Sequence, residues 1–197
     1  MVQNLLVPDV MITPAFEEVA GPAWTIRTEQ PLDLDQIHEL HSQAFGRRDE
    51  AELVDAVRSG PDFIPELSLV AVAADGSVLG HILLSRIEFL EQSGPRRDVL
   101  SLAPLAVLPP HNGRGIGSAL TEQALSEADR RDEPFVFVLG SPAFYERFGF
   151  EAAVDHSIQS PYDDAGPAFQ VRSKPGGPSP SAGTVIYPPM FEQLPVG

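Results

Sequence analysis

The most restrictive stretch of this chain runs from Val99 to Arg130: an apolar run, a turn built on alternating glycines, then an amphipathic helix. Val99–Val107 reads as a strand, although Pro104 lies inside it. A proline has no N–H to give to a ladder, so the strand must be bulged, or open on one side, at that point. The turn HNGRGIG sets Gly113, Gly115 and Gly117 at every second position, and the helix is predicted over Ile116–Arg130 with Ile116, Leu120, Ala124 and Ala128 on one face. This order of elements suits an anion. Glycines let the backbone approach a phosphate closely, and a helix N-terminus adds about half a positive charge. The common phosphate loops do not fit. A dinucleotide-binding GxGxxG needs glycine at 118 or 120, where Ser118 and Leu120 stand. A nucleoside triphosphate loop needs Gly-Lys-Ser/Thr, but the only lysine is Lys174. There is no GxSxG elbow either.

Composition narrows the setting. At 197 residues, 43% apolar, the chain is long enough for one domain with a real core. Its 28 acidic against 13 basic residues give a net charge of −15, which makes a poor nucleic-acid binder and favours a cationic partner over an anionic one. No run reaches the roughly 18–20 apolar residues of a membrane span, and MVQNLLVPDV lacks the pattern of a secretory signal. With no cysteine there is no disulfide, thiolate nucleophile or zinc knuckle. The expectation is a soluble, cytoplasmic protein that binds neither nucleic acid nor membrane.

Residues 1–23 hold two prolines in the first 14 and little periodicity, and read as an N-terminal arm; 24–197 read as a single domain. Within it the sequence predicts a strand at Trp24–Thr28, a helix from Leu34 to Phe45 with Asp33 as its N-cap, and a second helix over Glu50–Arg58. A hairpin follows, Leu67–Ala74 and Val78–Phe89 about the Asp75-Gly76 turn, then a polar loop over 91–97. After the glycine turn and its helix come a buried strand at Phe135–Leu139 and a short helix to Phe148, with Ser141 at its N-cap, Pro142 at N1 and Gly149 as its stop. In the tail, about 155–197, the extended pieces Phe169–Arg172 and Thr184–Tyr187 flank a loop and are expected to pair as a late hairpin. The order implies a mixed sheet, antiparallel early and parallel around the glycine turn.

Two motifs carry a family resemblance. The run LAPLAVLPPHNGRGIGSAL resembles the pyrophosphate loop Q/R-x-x-G-x-G/A of the Gcn5-related N-acetyltransferase (GNAT) family, with Asn112 in the first position. Downstream, VLGSPAFYERFGFEAA resembles the Y-x-x-x-G-F ending of that family's fourth helix, with Tyr145 as the tyrosine. The resemblance covers about residues 24–155, and AGTVIYPPMF resembles an uncharacterised bacterial branch of predicted N-acetyltransferases. It implies an α/β (α+β) fold: a mixed, mostly antiparallel sheet with a splayed central strand pair, flanked by helices. It also implies acetyl-CoA as co-substrate, without a metal, and a small amine or peptide as acceptor; a homodimer is allowed. By the same resemblance Leu105, Ala106 and Val107 would run beside the pantetheine arm, with Leu105 and Val107 pairing with its amides and the Leu105 amide holding the acetyl oxygen. Asn112, Gly113, Arg114, Gly115, Ile116, Gly117 and Ser118 would surround the pyrophosphate, Ser141 would lie on the cofactor's path, and Tyr145 would protonate the leaving thiolate.

Ser101 is the departure. In histone-type members of the family that position holds the glutamate that deprotonates the amine, and a serine cannot do so unaided, except as a relay through water. His81, Glu88 and His111 are the remaining candidates for the base by location. His38 and His41, three apart on one helix, lack a third ligand at a recognisable spacing, so no metal is expected. Arg96-Arg97 either reaches the 3′-phosphate of CoA or solvates a loop. The reading is an acetyl-CoA-dependent N-acetyltransferase. Its rival is a non-catalytic acyl-CoA sensor on the same fold, kept open by Ser101.

Overall fold

The computed structural model describes residues 23–159 and 163–193, so nearly all of the expected N-terminal arm lies outside the described residues. In chain order the elements are β1 (Trp24–Thr28), α1 (Leu34–Phe45), α2 (Asp49–Arg58), β2 (Phe63–Ala73), β3 (Val78–Glu91), β4 (Arg96–Val107), α3 (Ile116–Arg130), β5 (Phe135–Leu139), α4 (Pro142–Tyr145), β6 (Glu151–Ala152), β7 (Ile158–Gln159), β8 (Phe169–Ser173) and β9 (Gly183–Ile186). The main path of the sheet runs β1-β2-β3-β4-β5-β8-β6, antiparallel except between β4 and β5, and off this path β7 pairs parallel with β9.

Alternation along the central strands sorts the core onto two faces. Leu69, Ala71, Ile82, Leu84, Leu100 and Leu102 pack with Ile116, Leu120 and Ala124 of α3. Val70, Val72, Leu83 and Ala106 pack instead with Ile37, Leu40, Leu53, Val54 and Val57 of α1 and α2. On α3 the apolar positions read from the helical period, Ile116, Leu120, Ala124 and Ala128, are the ones buried, whereas Phe45 at the end of α1 is exposed. α3 approaches so closely that a Cβ on Gly80 would stand 2.8 Å from Ile116 Cγ2 and 3.0 Å from Leu120 Cδ1.

Several expectations need correction. The tail does not form a hairpin: β8 pairs with β5 and β6, whereas β9 pairs with the far half of β3 and with β7. β3 outruns β2, whose pairing reaches Ser85, and β9 occupies the same edge over Glu88–Glu91. The polar loop is shorter than composition suggests, because Arg96 and Arg97 already belong to β4 and pair with Glu88 and Glu91. Those arginines are tied to the sheet surface, not directed at a cofactor. Asp33 stands before α1, but its carboxylate is taken by Arg27, at 2.6 and 2.8 Å, and by the Gln30 amide at 2.7 Å, so it does not cap that helix.

Candidate active site

β4 and β5 run side by side only from Leu100–Val136 to Leu102–Val138. There β4 gains one residue on β3: Leu102 faces Leu84 but Leu105 faces Ile82, which places a bulge at Ala103 and Pro104, as the proline requires. β5 continues only with β8, and the two strands part. Past the bulge, the Leu108 N–H bonds to the Leu79 carbonyl at 2.9 Å. In an antiparallel ladder such bonded positions alternate with positions that turn the other way. Ala106 therefore faces β3, and the backbone groups of Leu105 and Val107 face the opening.

The glycine turn closes one side of that opening. Gly113 (φ 75°) and Gly115 (φ 82°) are left-handed, which favours glycine, and a Cβ at either would meet nothing within 4 Å. α3 begins directly after Gly115 with no side-chain cap; the first bond back to that turn comes from the Ala119 N–H, at 3.0 Å. The N–H groups of the first turn are thus left for a ligand or solvent. Asn112 and Arg114 are exposed beside it. A Cβ on Gly117 would lie 3.6 Å from Val107 Cγ2, 3.8 Å from Phe144 Cζ and 4.0 Å from Leu105 Cδ2, so helix start, strand edge and α4 meet at one point.

α4 brings two further groups. Tyr145 is buried, with its ring edge-on to Phe144 and Phe150 and so close to Gly140 that a Cβ there would stand 2.5 Å from Tyr145 Cε2, and burial pushes its phenol above the ordinary value. Arg147, in the turn that follows, lies 4.4 Å over Phe144 and 4.8 Å over Phe148 and donates to Ser118 Oγ at 3.0 Å. A second cation thus stands on the first turn of α3, one that sequence reasoning did not single out. Ser141 occupies the N-cap position of α4 and is exposed, and its side chain makes no cap bond.

On the opposite face, under α1 and α2, the polar groups are buried. Ser101 Oγ stands 3.5 Å from the Tyr187 hydroxyl, which the sequence reading had not linked to it, and Ser85 faces Ser101 across the ladder. His81, on the same face, hydrogen-bonds His41 at 2.8 Å and Ser68 at 2.9 Å. Ser68 donates to Glu29 at 2.5 Å, and Arg58 holds Glu29 at 2.7 and 3.0 Å. Burial alone would raise the Glu29 carboxyl, but the bonds from His81, Arg58 and Ser68 outweigh it and hold it well below the usual range. Burial pulls both imidazoles down, that of His41 strongly. His38 turns away to Asp55 at 2.8 Å, so the two α1 histidines do not converge on a shared ligand. Of the other proposed bases, Glu88 is tied to Arg96 on the sheet surface, and His111 ends the 3-10 turn before the glycines.

A strand that leaves its parallel neighbour, a glycine turn and a helix start form the arrangement expected of an acetyl-CoA site. The acetyltransferase (GNAT) domain family matches residues 25–153, 129 of 197 residues. The chain belongs to the GNAT family. Two Escherichia coli relatives, the uncharacterized N-acetyltransferases YjhQ and YhbS, are 36% and 34% identical to it over 71% and 74% of its length, and 76% and 84% of theirs. The crystal structure of YhbS in complex with CoA superposes with a TM-score of 0.76 at 30% identity, covering 86% of this chain and 92% of that one. A GNAT family acetyltransferase from Brucella melitensis, in complex with acetyl-CoA, gives 0.69 at 32%, covering 85% and 97%. The GNAT fold read from two motifs is thus the fold of the chain. Among the described residues no helix is long and apolar enough to cross a membrane.

Proposed function

We propose that the protein transfers an acetyl group from acetyl-CoA to a primary amine by direct attack. The observation that carries this reading is the free backbone edge of Leu105 and Val107, set against the uncapped first turn of α3. An extended pantetheine arm would add to β4 as a strand does, while the amides of Gly113–Ser118, with Arg114 and Arg147, would take the pyrophosphate. These residues fit the group: the loop is open where a phosphate would lie, and Arg114 and Arg147 bring positive charge to it.

The chemistry then falls to few atoms. The Leu105 N–H steadies the carbonyl oxygen as charge gathers there. Nitrogen attacks the carbonyl carbon, and the carbon–sulfur bond breaks with its electron pair going to sulfur. Burial keeps the Tyr145 phenol neutral, so it donates a hydrogen bond to sulfur and passes on the surplus proton of the nitrogen. Ser101 and Tyr187 border the acceptor side, and the −15 charge favours a cationic amine or basic peptide there. Titration calorimetry with acetyl-CoA, followed by thiol release with a panel of polyamines, amino sugars and basic peptides, tests the reading. Binding with amine-dependent release is expected. Tight binding with no release across the panel would support the acyl-CoA sensor, which the serine at 101 favours.

A further inference from the structure

Ser101 supplies no carboxylate of its own for the acceptor amine, yet an ammonium must lose a proton before it can attack. The α1 face of the sheet holds a buried chain of groups whose hydrogen-bond direction is fixed from one end. Glu29, kept ionised by Arg58, can only accept, so Ser68 gives it its hydroxyl proton. Ser68 oxygen then accepts from His81 Nε2 at 2.9 Å. His81 Nδ1 is left as an acceptor, and it takes the Nε2 proton of His41 at 2.8 Å. The chain ends on His41 Nδ1, a bare lone pair that is buried and has no hydrogen-bond partner among the described residues. A buried polar atom in that condition costs stability and asks for a reason.

Its position supplies one. His81 faces Ala106, between the two residues whose backbone turns into the opening. His41 is fully buried, and the ring of Phe45, 41% exposed at the end of α1, lies parallel to it at 6.1 Å and 8°. Ser85 Oγ, also buried and without a partner among the described residues, lies four residues along β3 on the same face.

We infer that His41 Nδ1 is the base that takes the proton of the acceptor ammonium, through water, and that His81, Ser68 and Glu29 are positioning residues that hold its tautomer and stabilise the charge it gains. This rests on the acetyltransferase reading. The ammonium R–NH3+ gives one proton to His41, whose lone pair becomes N–H. The freed nitrogen pair forms the amide bond as sulfur leaves, and the second proton passes through Tyr145 to sulfur. His41 returns its proton to solvent. The balance is ammonium and thioester to amide, thiol and one proton. Partial transfer along the chain moves positive charge toward the Glu29 carboxylate, while Arg58 keeps the proton from settling there. The charged groups around the pair are Glu29 and Asp33 from the first connection, His38 on α1 itself, and Asp55 and Arg58 on α2.

Nitrogen-15 NMR of histidine-labelled full-length protein reads the tautomer directly, without a substitution. His41 neutral at pH 7 with its proton on Nε2 is expected; a proton on Nδ1 overturns the inference. In the thiol-release assay with the amine that the panel selects, His41→Gln should lower kcat by about a hundredfold, with acetyl-CoA affinity held within a few-fold. The acid limb of the parent pH–rate profile, lying below the ordinary imidazole range, should vanish with it. Ser68→Ala, which leaves His81 Nε2 only the Glu29 carboxylate 3.4 Å away, should shift that limb and lower kcat by a smaller factor. An active parent with an unchanged limb in a folded His41→Gln overturns the base alone. A parent that binds acetyl-CoA and acetylates no amine overturns the acetyltransferase reading, and the base falls with it.

Discussion

Tyr145 packs as a core residue does, between Phe144, Phe150 and Gly140, and at the same time belongs to the helix that follows the parted strand. The two roles predict different outcomes for one substitution. Tyr145→Phe keeps the ring and removes only the hydroxyl. If the phenol serves the leaving sulfur, turnover should fall by about a hundredfold while acetyl-CoA affinity stays within a few-fold, since only the transition state loses a contact. If it serves packing alone, the change costs about 1 kcal/mol or less and turnover survives. Single-turnover thiol release, which isolates chemistry from product release, decides between them. Ser101 offers a milder test. Its hydroxyl faces Tyr187 on the acceptor side, so Ser101→Ala should reduce turnover by about tenfold to a hundredfold and alter the pH–rate profile. An unaltered rate and profile would remove Ser101 from the mechanism.

Between elements, the decisive joint is where α3 meets β3 and β4. Gly115 holds φ 82° and opens α3, so Gly115→Val forces a β-branched side chain into a backbone region that it resists, and plants its methyls where a phosphate would lie. Calorimetry should show acetyl-CoA affinity falling at least a hundredfold in a protein that is still folded; parental affinity would refute the phosphate cradle. Gly80 acts through packing instead. Its added Cβ would collide with Ile116 and Leu120, so Gly80→Ala should cost about 1–3 kcal/mol in urea denaturation and weaken acetyl-CoA binding by displacing the start of α3. This joint was legible in the sequence because its signals are local: a proline within an apolar run, three alternating glycines, and a helix with a clean 3.6 period. The partners of β9 were not legible. Thr184–Tyr187 carries a strand's composition, but its place beside Glu88–Glu91 depends on β3 outlasting β2, which no short pattern records. Arg147 stood in plain view within Y-E-R-F-G-F; its reach to Ser118 depends on the turn after α4 folding back over Phe144 and Phe148. The buried chain was hidden for the same reason, since Glu29, His41, Ser68 and His81 come from four separate segments.

Across the whole molecule, the two faces of the sheet differ: the start of α3 and the turn after α4 carry the amides and cations proposed to meet the cofactor, while α1, α2 and the C-terminal segment enclose buried polar groups. That division makes stability depend on pH in a definite direction. His41 and His81 have folded pKa values below the ordinary imidazole value of 6.5, so as pH falls past it the unfolded chain takes up protons that the folded chain refuses. Stability is therefore full above that value and declines below it. Glu29 acts in the same sense lower down: its folded pKa lies beneath 4.5, so its contribution is present above that value and is lost as pH falls through the acid range. Each such proton is worth at most about 1.4 kcal/mol per pH unit. The −15 net charge works the other way, because acidification relieves self-repulsion. Salt separates the two effects: at 1 M the screening length is about 3 Å, which silences surface repulsion and leaves buried groups nearly untouched. Scanning calorimetry at high salt should thus show Tm falling steadily between pH 7.5 and 5.5, then more steeply below 4.5. His41→Gln should flatten the upper part of that curve and leave the lower part intact. A Tm that holds or rises from pH 7.5 to 5.5 at high salt would mean that the imidazole pair accepts protons readily in the folded state, and that the chain from Glu29 to His41 does not keep it neutral.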